Sequence, residues 1–287
     1  MQIVILGCGY VGLSLGRRLG AAGHDVVGVR RSADGLERVA EAGLEPVEAD
    51  VTDRASLAAV PDADRVIFAA SADGRSAAAV RETYLEGVRT AVAAFAGRES
   101  PPERFCYTSS TGVYGDHGGA WVDETTPPEP DSERAEVLVA AETAALSGAL
   151  PATVARFAGL YGPDRYRLRR YLEGPVPEGY LNLLHREDAA GAVAHLLDAS
   201  AAAGETVLVV DDEPVARPEL ARWLAERCGV ETPAVARPAE SRRERADKRC
   251  SNDRLHELGY ELTYPTYRAG YEAAIEQYRR TDATEDG

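Results

Sequence analysis

Gln2-Ile3-Val4-Ile5-Leu6-Gly7-Cys8-Gly9-Tyr10-Val11-Gly12 decides the fold. A short apolar run ends at a glycine, and residues 11–22 (VGLSLGRRLGAA) follow with helical spacing until Gly23 closes the turn. G-x-G-x-x-G alone is a weak pattern in a chain with 27 glycines, but a strand before it and a helix after it make it specific. One glycine permits the tight turn, one lets backbone approach a pyrophosphate, and one lets helix and strand pack closely. The helix N-terminus adds unpaired N–H donors and a partial positive charge for the anion. Gly7, Cys8, Gly9, Tyr10, Val11 and Gly12 are therefore assigned to a dinucleotide.

Outward from this turn the alternation repeats. DVVGV at 25–29 is a strand, 34–42 a short helix, Pro46 to Ala49 a strand, and a helix follows Asp53. RVIFAA at 65–70 precedes a long alanine-rich helix from about Arg75 to Ala96, and RFCYTSS at 104–110 makes a fifth strand. Residues 112–131, rich in Gly, Pro and acids, read as an irregular active-site loop before a helix from Ser132 to about Leu146. ATVARF at 152–157 is expected to complete the sheet. Such alternation predicts an α/β fold: a Rossmann doubly wound parallel sheet with a small C-terminal substrate-binding cap.

Residues 1–158 form the nucleotide-binding domain in this reading. Residues 159–280 contribute to the sheet edge and the cap, and 281–287 are a polar tail. The cap half holds a basic helix near 164–173, YLNLL at 180–184, a helix at 186–198, the strand ETVLVV at 205–210 and a helix around Trp223. The charged stretch from Arg237 to Arg249 is expected to be exposed, and the chain after Arg279 to fray.

The end of the second strand usually carries Asp or Glu for the ribose hydroxyls of NAD. Arg30-Arg31-Ser32 stand here instead, and two guanidinium groups with a hydroxyl suit a 2'-phosphate. NADP is the expected cofactor, with NAD possible. Asp50 and Val51, after the third strand, belong beside the adenine, and Ala70 closes the fourth strand at the same site.

Composition narrows the partners. A formal net charge of −15 disfavours nucleic acid and anionic membranes, and no apolar stretch reaches the length of a membrane span. Without a basic, apolar leader before Gln2, a cytoplasmic location is expected. The four cysteines are scattered, so they read as free thiols and no metal site is expected. Cys8 lies at a helix N-terminus, which lowers thiol pKa, but it reads better as a small residue tolerated between glycines. Lys248 is the only lysine among 32 basic residues. This acid-rich, lysine-poor composition resembles that of proteins from salt-loving archaea, although a GC-rich genome also favours arginine.

Further motifs resemble the extended short-chain dehydrogenase/reductase family, which includes NAD(P)-dependent nucleotide-sugar epimerases and dehydratases. They are Tyr107 to Gly115 (YTSSTGVYG), Trp121-Val122-Asp123-Glu124 with Pro127 and Pro130, Arg156 to Pro163 (RFAGLYGP), and Leu183 to Asp188 (LLHRED). The resemblance implies a Tyr-x-x-x-Lys pair in which lysine lowers the tyrosine pKa for acid/base work. It aligns Arg134 with that tyrosine and Leu138 with that lysine. Glu244 stands four residues before Lys248, so no Tyr-x-x-x-Lys exists in the chain. An atypical member of the family is therefore expected.

Ser110 remains, in the family role of hydrogen-bonding the substrate oxygen. Tyr114, His117 or an acid within Glu133 to Glu136 are candidate proton donors. Arg134 is a candidate anion holder, because a guanidinium stays protonated. His185 reads equally as a cleft residue or a capping group. The catalytic expectation thus rests on Ser110, Tyr114 and Arg134, acting on a small polar or nucleotide-sugar substrate. A catalytically silent NADP(H) sensor is the alternative. The alanine-rich helices at 75–96 and 132–146 are the faces through which a homodimer is expected.

Overall fold

β1 (Gln2–Leu6) pairs with β2 (Asp25–Arg30) on one side and β4 (Arg65–Phe68) on the other, both parallel. The computed structural model describes residues 1–72, 74, 76–236 and 247–285. The remaining strands of this sheet are β3 (Glu45–Glu48), β5 (Arg104–Ser110), β7 (Ala152–Phe157) and β11 (Thr206–Val209). Seven strands run in the order β11-β7-β5-β4-β1-β2-β3, every pair parallel. This is the Rossmann-like doubly wound sheet the sequence predicts.

Helices covering both faces explain why the inner strands are apolar along their whole length. Val4, Ile5, Leu6, Val66, Ile67 and Phe68 are fully buried. Each contributes about 1.5–3 kcal/mol by leaving water. α1 (Tyr10–Ala21) packs with α7 (Arg186–Asp198), and α4 (Gly87–Ala96) packs with α5 (Glu133–Leu146). α2 (Ala33–Glu41) starts at Ser32, whose hydroxyl accepts from Gly35 N at 3.3 Å.

Several local expectations change. β7 does not complete the sheet: β11 lies outside it, joined by long-range pairing that local periodicity does not carry. The helix expected after Asp53 is a single 3-10 turn, Ser56–Ala59. The long alanine-rich helix starts with α3 (Ala77–Arg81) and passes through a π turn at Glu82–Glu86 before α4; Arg75 lies outside the described residues. The 112–131 loop contains β6 (Trp121–Val122), paired with β13 (Arg249–Cys250).

Of the stretch expected to be exposed, 237–246 lie outside the described residues, but Lys248 is 6% exposed and donates from Nζ to Gly115 O at 3.0 Å. The C-terminal helix continues past Arg279, spanning Tyr267–Glu285 as α10; α9 (Asp253–Glu257) precedes it.

A second apolar cluster forms the cap, with Leu168, Leu220, Leu224, Tyr267, Tyr271 and Ile275 at its centre. It combines α6 (Leu168–Leu172), α8 (Arg217–Cys228) and α10. Two small strand pairs flank it: β8 (Gly159–Tyr161) with β10 (Leu183–His185), and β9 (Tyr180–Leu181) with β12 (Val215–Ala216). Buried Asp188, in the first turn of α7, ties this half to the helix layer over the sheet by accepting from Thr263 N at 2.7 Å and Tyr264 N at 2.8 Å. Among the described residues no helix is long and apolar enough to cross a membrane.

Candidate cofactor and substrate site

Parallel strands bring every C-terminal strand end to one edge, and the order reverses between β1 and β4, where such sheets bind ligands. Gly7, just past β1, has φ +84°, and a Cβ there would come within 2.2 Å of Ala70 Cα, two residues past β4. Only glycine fits. Gly7 N and Cys8 N both donate to Val29 O at 3.1 Å, fixing the turn to β2. No side chain caps α1, and its first turn holds no acid, so the leading N–H groups at Tyr10, Val11 and Gly12 face the turn with positive polarity. Burial pushes the Cys8 thiol up to about 12, against the nearby Arg30 and Arg17, so it is no reactive thiolate.

A groove continues over β2 and β3, lined by Gly7, Arg30, Arg31, Ser32, Asp50, Val51 and Ala70. Arg30 spans its mouth: a Cβ on Gly9 would lie 3.1 Å from Arg30 Nη1, and one on Gly35 2.6 Å from Nε. Arg31 Nη1 meets Asp50 Oδ2 at 2.9 Å, while Asp50 Oδ1 accepts from Thr52 N at 2.9 Å and Thr52 Oγ1 at 2.7 Å. Burial pushes the Asp50 carboxyl up, but the Thr52 bonds and Arg31 outweigh it and hold it below its ordinary value. With a glycine cradle, unpaired helix N–H groups and two arginines, these residues fit a phosphate-bearing dinucleotide.

The expected catalytic residues sit in different surroundings. Ser110 ends β5 at the cofactor edge, half-buried, its hydroxyl accepting from Gly112 N at 3.1 Å. Arg134, exposed on the first turn of α5, donates to Tyr84 Oη at 2.9 Å from the π turn. Leu138, one turn further, is buried. Tyr114, expected as a proton donor, is fully buried. Its hydroxyl donates to Asp123 O and accepts from Arg156 Nη1, both at 2.6 Å, and burial raises its pKa further. That leaves it no route to a substrate. His117 packs edge-on to Tyr114, and its backbone N–H is held by Asp247 O. Glu133 and Glu136 are exposed in the first turn of α5, where acids favour the helix dipole.

His185 is 2% exposed and caps α7, its Nδ1 accepting from Glu187 N at 3.3 Å. Burial lowers its pKa, against Asp188 and Glu187. The capping reading holds, while Nε2 has no hydrogen-bond partner among the described residues.

Sequence reasoning missed the buried ionic network. Glu142 accepts from Ser109 Oγ at 2.6 Å and from two Arg156 nitrogens, linking α5 to β5, β7 and the loop below Tyr114. A charged residue inside the apolar run ATVARF was its only trace. A cap pocket bordering Arg165, Arg167, Arg170 and Arg217 was also missed.

The NAD dependent epimerase/dehydratase family model matches residues 3–211. Protein YeeZ of Escherichia coli strain K12 is 32% identical over 278 residues, covering 92% of this chain and 96% of YeeZ. A Methylobacillus flagellatus protein, provisionally described as an NAD-dependent epimerase/dehydratase, is 36% identical; 97% of this chain and 98% of that one superpose with a TM-score of 0.81. The UDP-glucose 4-epimerase of Thermotoga maritima, solved with UDP-glucose, is 20% identical, with a TM-score of 0.82 over 98% of this chain and 99% of its own. At that identity the likeness is one of fold.

Proposed function

Because the chain belongs to the NAD dependent epimerase/dehydratase family, we propose that it is an NADP(H)-dependent oxidoreductase or epimerase with a non-standard active site, acting on a small polar or nucleotide-linked carbonyl or sugar. The observation that carries the cofactor choice is the end of β2: Arg30 and Arg31, rather than an acid, line the groove beside Ser32. Arg30 spans the mouth where a 2'-phosphate would enter, and guanidinium groups bind phosphate through charge-assisted, often bidentate bonds.

A bound nicotinamide dinucleotide supplies hydride transfer. In this proposal Ser110 hydrogen-bonds the substrate oxygen. Arg134 holds an oxyanion or an anionic substituent, since its charge is permanent. Tyr114 is left out because its hydroxyl is buried and doubly bonded. The assembly in this reading is a homodimer through the faces of α4 and α5. With its charge of −15, the chain is expected to hold its fold better in concentrated salt, which screens self-repulsion.

A catalytically silent NADP(H) sensor is the second reading. Leu138 and Tyr114, both buried where acid/base groups are expected, favour it. Fluorescence titration with NADPH and NADH, at low and molar KCl, tests the cofactor assignment. Tight NADPH binding that Arg30→Asp weakens selectively supports it; failure to bind either nucleotide in any salt refutes it. A substrate-dependent change in NADPH absorbance then separates enzyme from sensor.

A further inference from the structure

The cap places a cation against the phosphate-binding turn. Tyr10 is the first residue of α1, and two guanidinium groups pack on its ring, with Arg165 Cζ 4.5 Å and Arg186 Cζ 5.1 Å from the ring centre. Its hydroxyl donates to Pro163 O at 3.0 Å, so this one side chain joins the glycine turn to the segment after β8. Burial pushes the phenol up to about 12, against Arg186 and Arg165, and the ring stays a neutral platform for both. The two arginines differ in charge balance. Arg186 Nε meets Glu187 Oε1 at 3.1 Å, and Glu187 Oε2 accepts from Ser14 Oγ of α1 at 2.7 Å. Arg165 is exposed and forms no ion pair among the described residues.

Backbone geometry fixes Arg165 at this place. Its N–H donates to Gly162 O at 2.9 Å, closing a tight turn. A Cβ on Gly162, at φ +133°, would lie 3.1 Å from His185 Nε2 and 3.2 Å from Tyr10 Oη, so glycine lets that turn press against α1. Asp164 (φ 65°) and Arg167 (φ 53°) stand on either side of Arg165 and are the only non-glycine residues with positive φ among the described residues. Such conformations cost about 1 kcal/mol or more and cluster at ligand clamps.

Charge balance at the turn calls for such a residue. A dinucleotide brings a doubly negative pyrophosphate, and the N-terminus of α1 offers about half an elementary charge. Residues 7–16 hold no arginine or lysine, and a chain with 47 acids against 32 bases repels an anion over most of its surface. Arg30 reaches Gly9 from β2, where the 2'-phosphate of the cofactor reading engages it. Resting on the dinucleotide reading, but not on the choice between NADP and NAD, we propose that Arg165 is a cofactor-binding residue supplied by the cap. Its guanidinium bonds the pyrophosphate while stacked on Tyr10, since stacking leaves the N–H edges free for oxygen acceptors. Bound dinucleotide thereby fastens the cap to the glycine turn.

Calorimetric titration of the full chain with NADPH and with NADH tests this, because the two nucleotides share the pyrophosphate and differ at the 2'-phosphate. Arg165→Gln should weaken both by the same factor, roughly tenfold, and Arg165→Lys, which keeps the charge but not the planar stack, should recover part of the loss. The position is exposed, so the melting temperature of the free chain should not change. Arg30→Asp should instead weaken NADPH far more than NADH. Three results overturn the proposal alone: unchanged affinities in Arg165→Gln, a loss confined to NADPH, or a loss that comes with a lower melting temperature of the free chain. A wild-type chain that binds neither nucleotide refutes the dinucleotide reading and this proposal together.

Discussion

Arg156 grips Glu142 through two hydrogen bonds, Nε to Oε1 at 3.0 Å and Nη2 to Oε2 at 2.7 Å, with both side chains almost completely buried. The pair sits between β7 and α5, and Ser109 and Tyr114 satisfy the remaining polar atoms. Removing one partner strands the other charge away from water. Glu142→Ala should therefore cost about 3–5 kcal/mol, read as a shifted urea midpoint. The apolar double variant Glu142→Leu, Arg156→Met should lose less than either single change. Additive losses would show that the two residues act independently.

Two glycines of the first helical unit should respond in opposite directions. Gly7→Ala forces a Cβ to 2.2 Å from Ala70 Cα at positive φ, so it should lower the melting temperature and weaken nucleotide binding more than tenfold. Gly20 lies inside α1, and nothing stands within 4 Å of the position its Cβ would take, so Gly20→Ala should stabilise by about 0.5–1 kcal/mol. Thermal melts of both variants check the pair.

The glycine turn and the first five strands are legible in the sequence because their signals are local: period, glycine spacing and apolar runs. β11 reads as a strand but is not placed beside β7, since about fifty residues separate the partners and no local pattern records the pairing. Tyr114 stands in a Val-Tyr-Gly motif that marks an active-site loop, yet its burial depends on Arg156 and Asp123 O. Lys248 stands in a run of charges that reads as solvated, and only the fold reveals Gly115 O waiting for it. The arginines at 165–170 are visible as a basic helix, whereas their convergence with Arg217 is purely tertiary.

Asp211, just past β11, is 2% exposed, and the backbone N–H groups of Leu183 and Glu213 beside its carboxylate only partly offset that burial. Burial, with Asp212 and Glu213 nearby, raises its pKa well above the ordinary value. A raised folded pKa means that the folded state binds the proton more tightly than the unfolded state. The associated stability is full below about pH 4 and is lost as pH rises through the folded value. At neutral pH the residue is a liability. Asp211→Asn should raise the melting temperature at pH 7, with the gain vanishing toward pH 4. A variant less stable than wild type across that range would contradict this.

Lys248 carries the chain's only side-chain amine, and it is buried against Gly115 O, joining the segment before β13 to the loop after Ser110. Burial pulls the ammonium below its ordinary pKa, while Cys250, Asp131 and Asp116 act the other way. A lowered pKa by itself favours acylation, but the amine is buried, so an amine-acylating reagent should label the α-amino group of the native protein and reach Lys248 only after unfolding, as mass spectrometry of peptides would read. Lys248→Met keeps the apolar stem but leaves the Gly115 carbonyl without its donor, at about 1–3 kcal/mol. It should also speed proteolysis between 115 and 131, because that loop would lose a contact holding it to the cap. Rapid native labelling of Lys248 would show instead that this contact opens freely in solution.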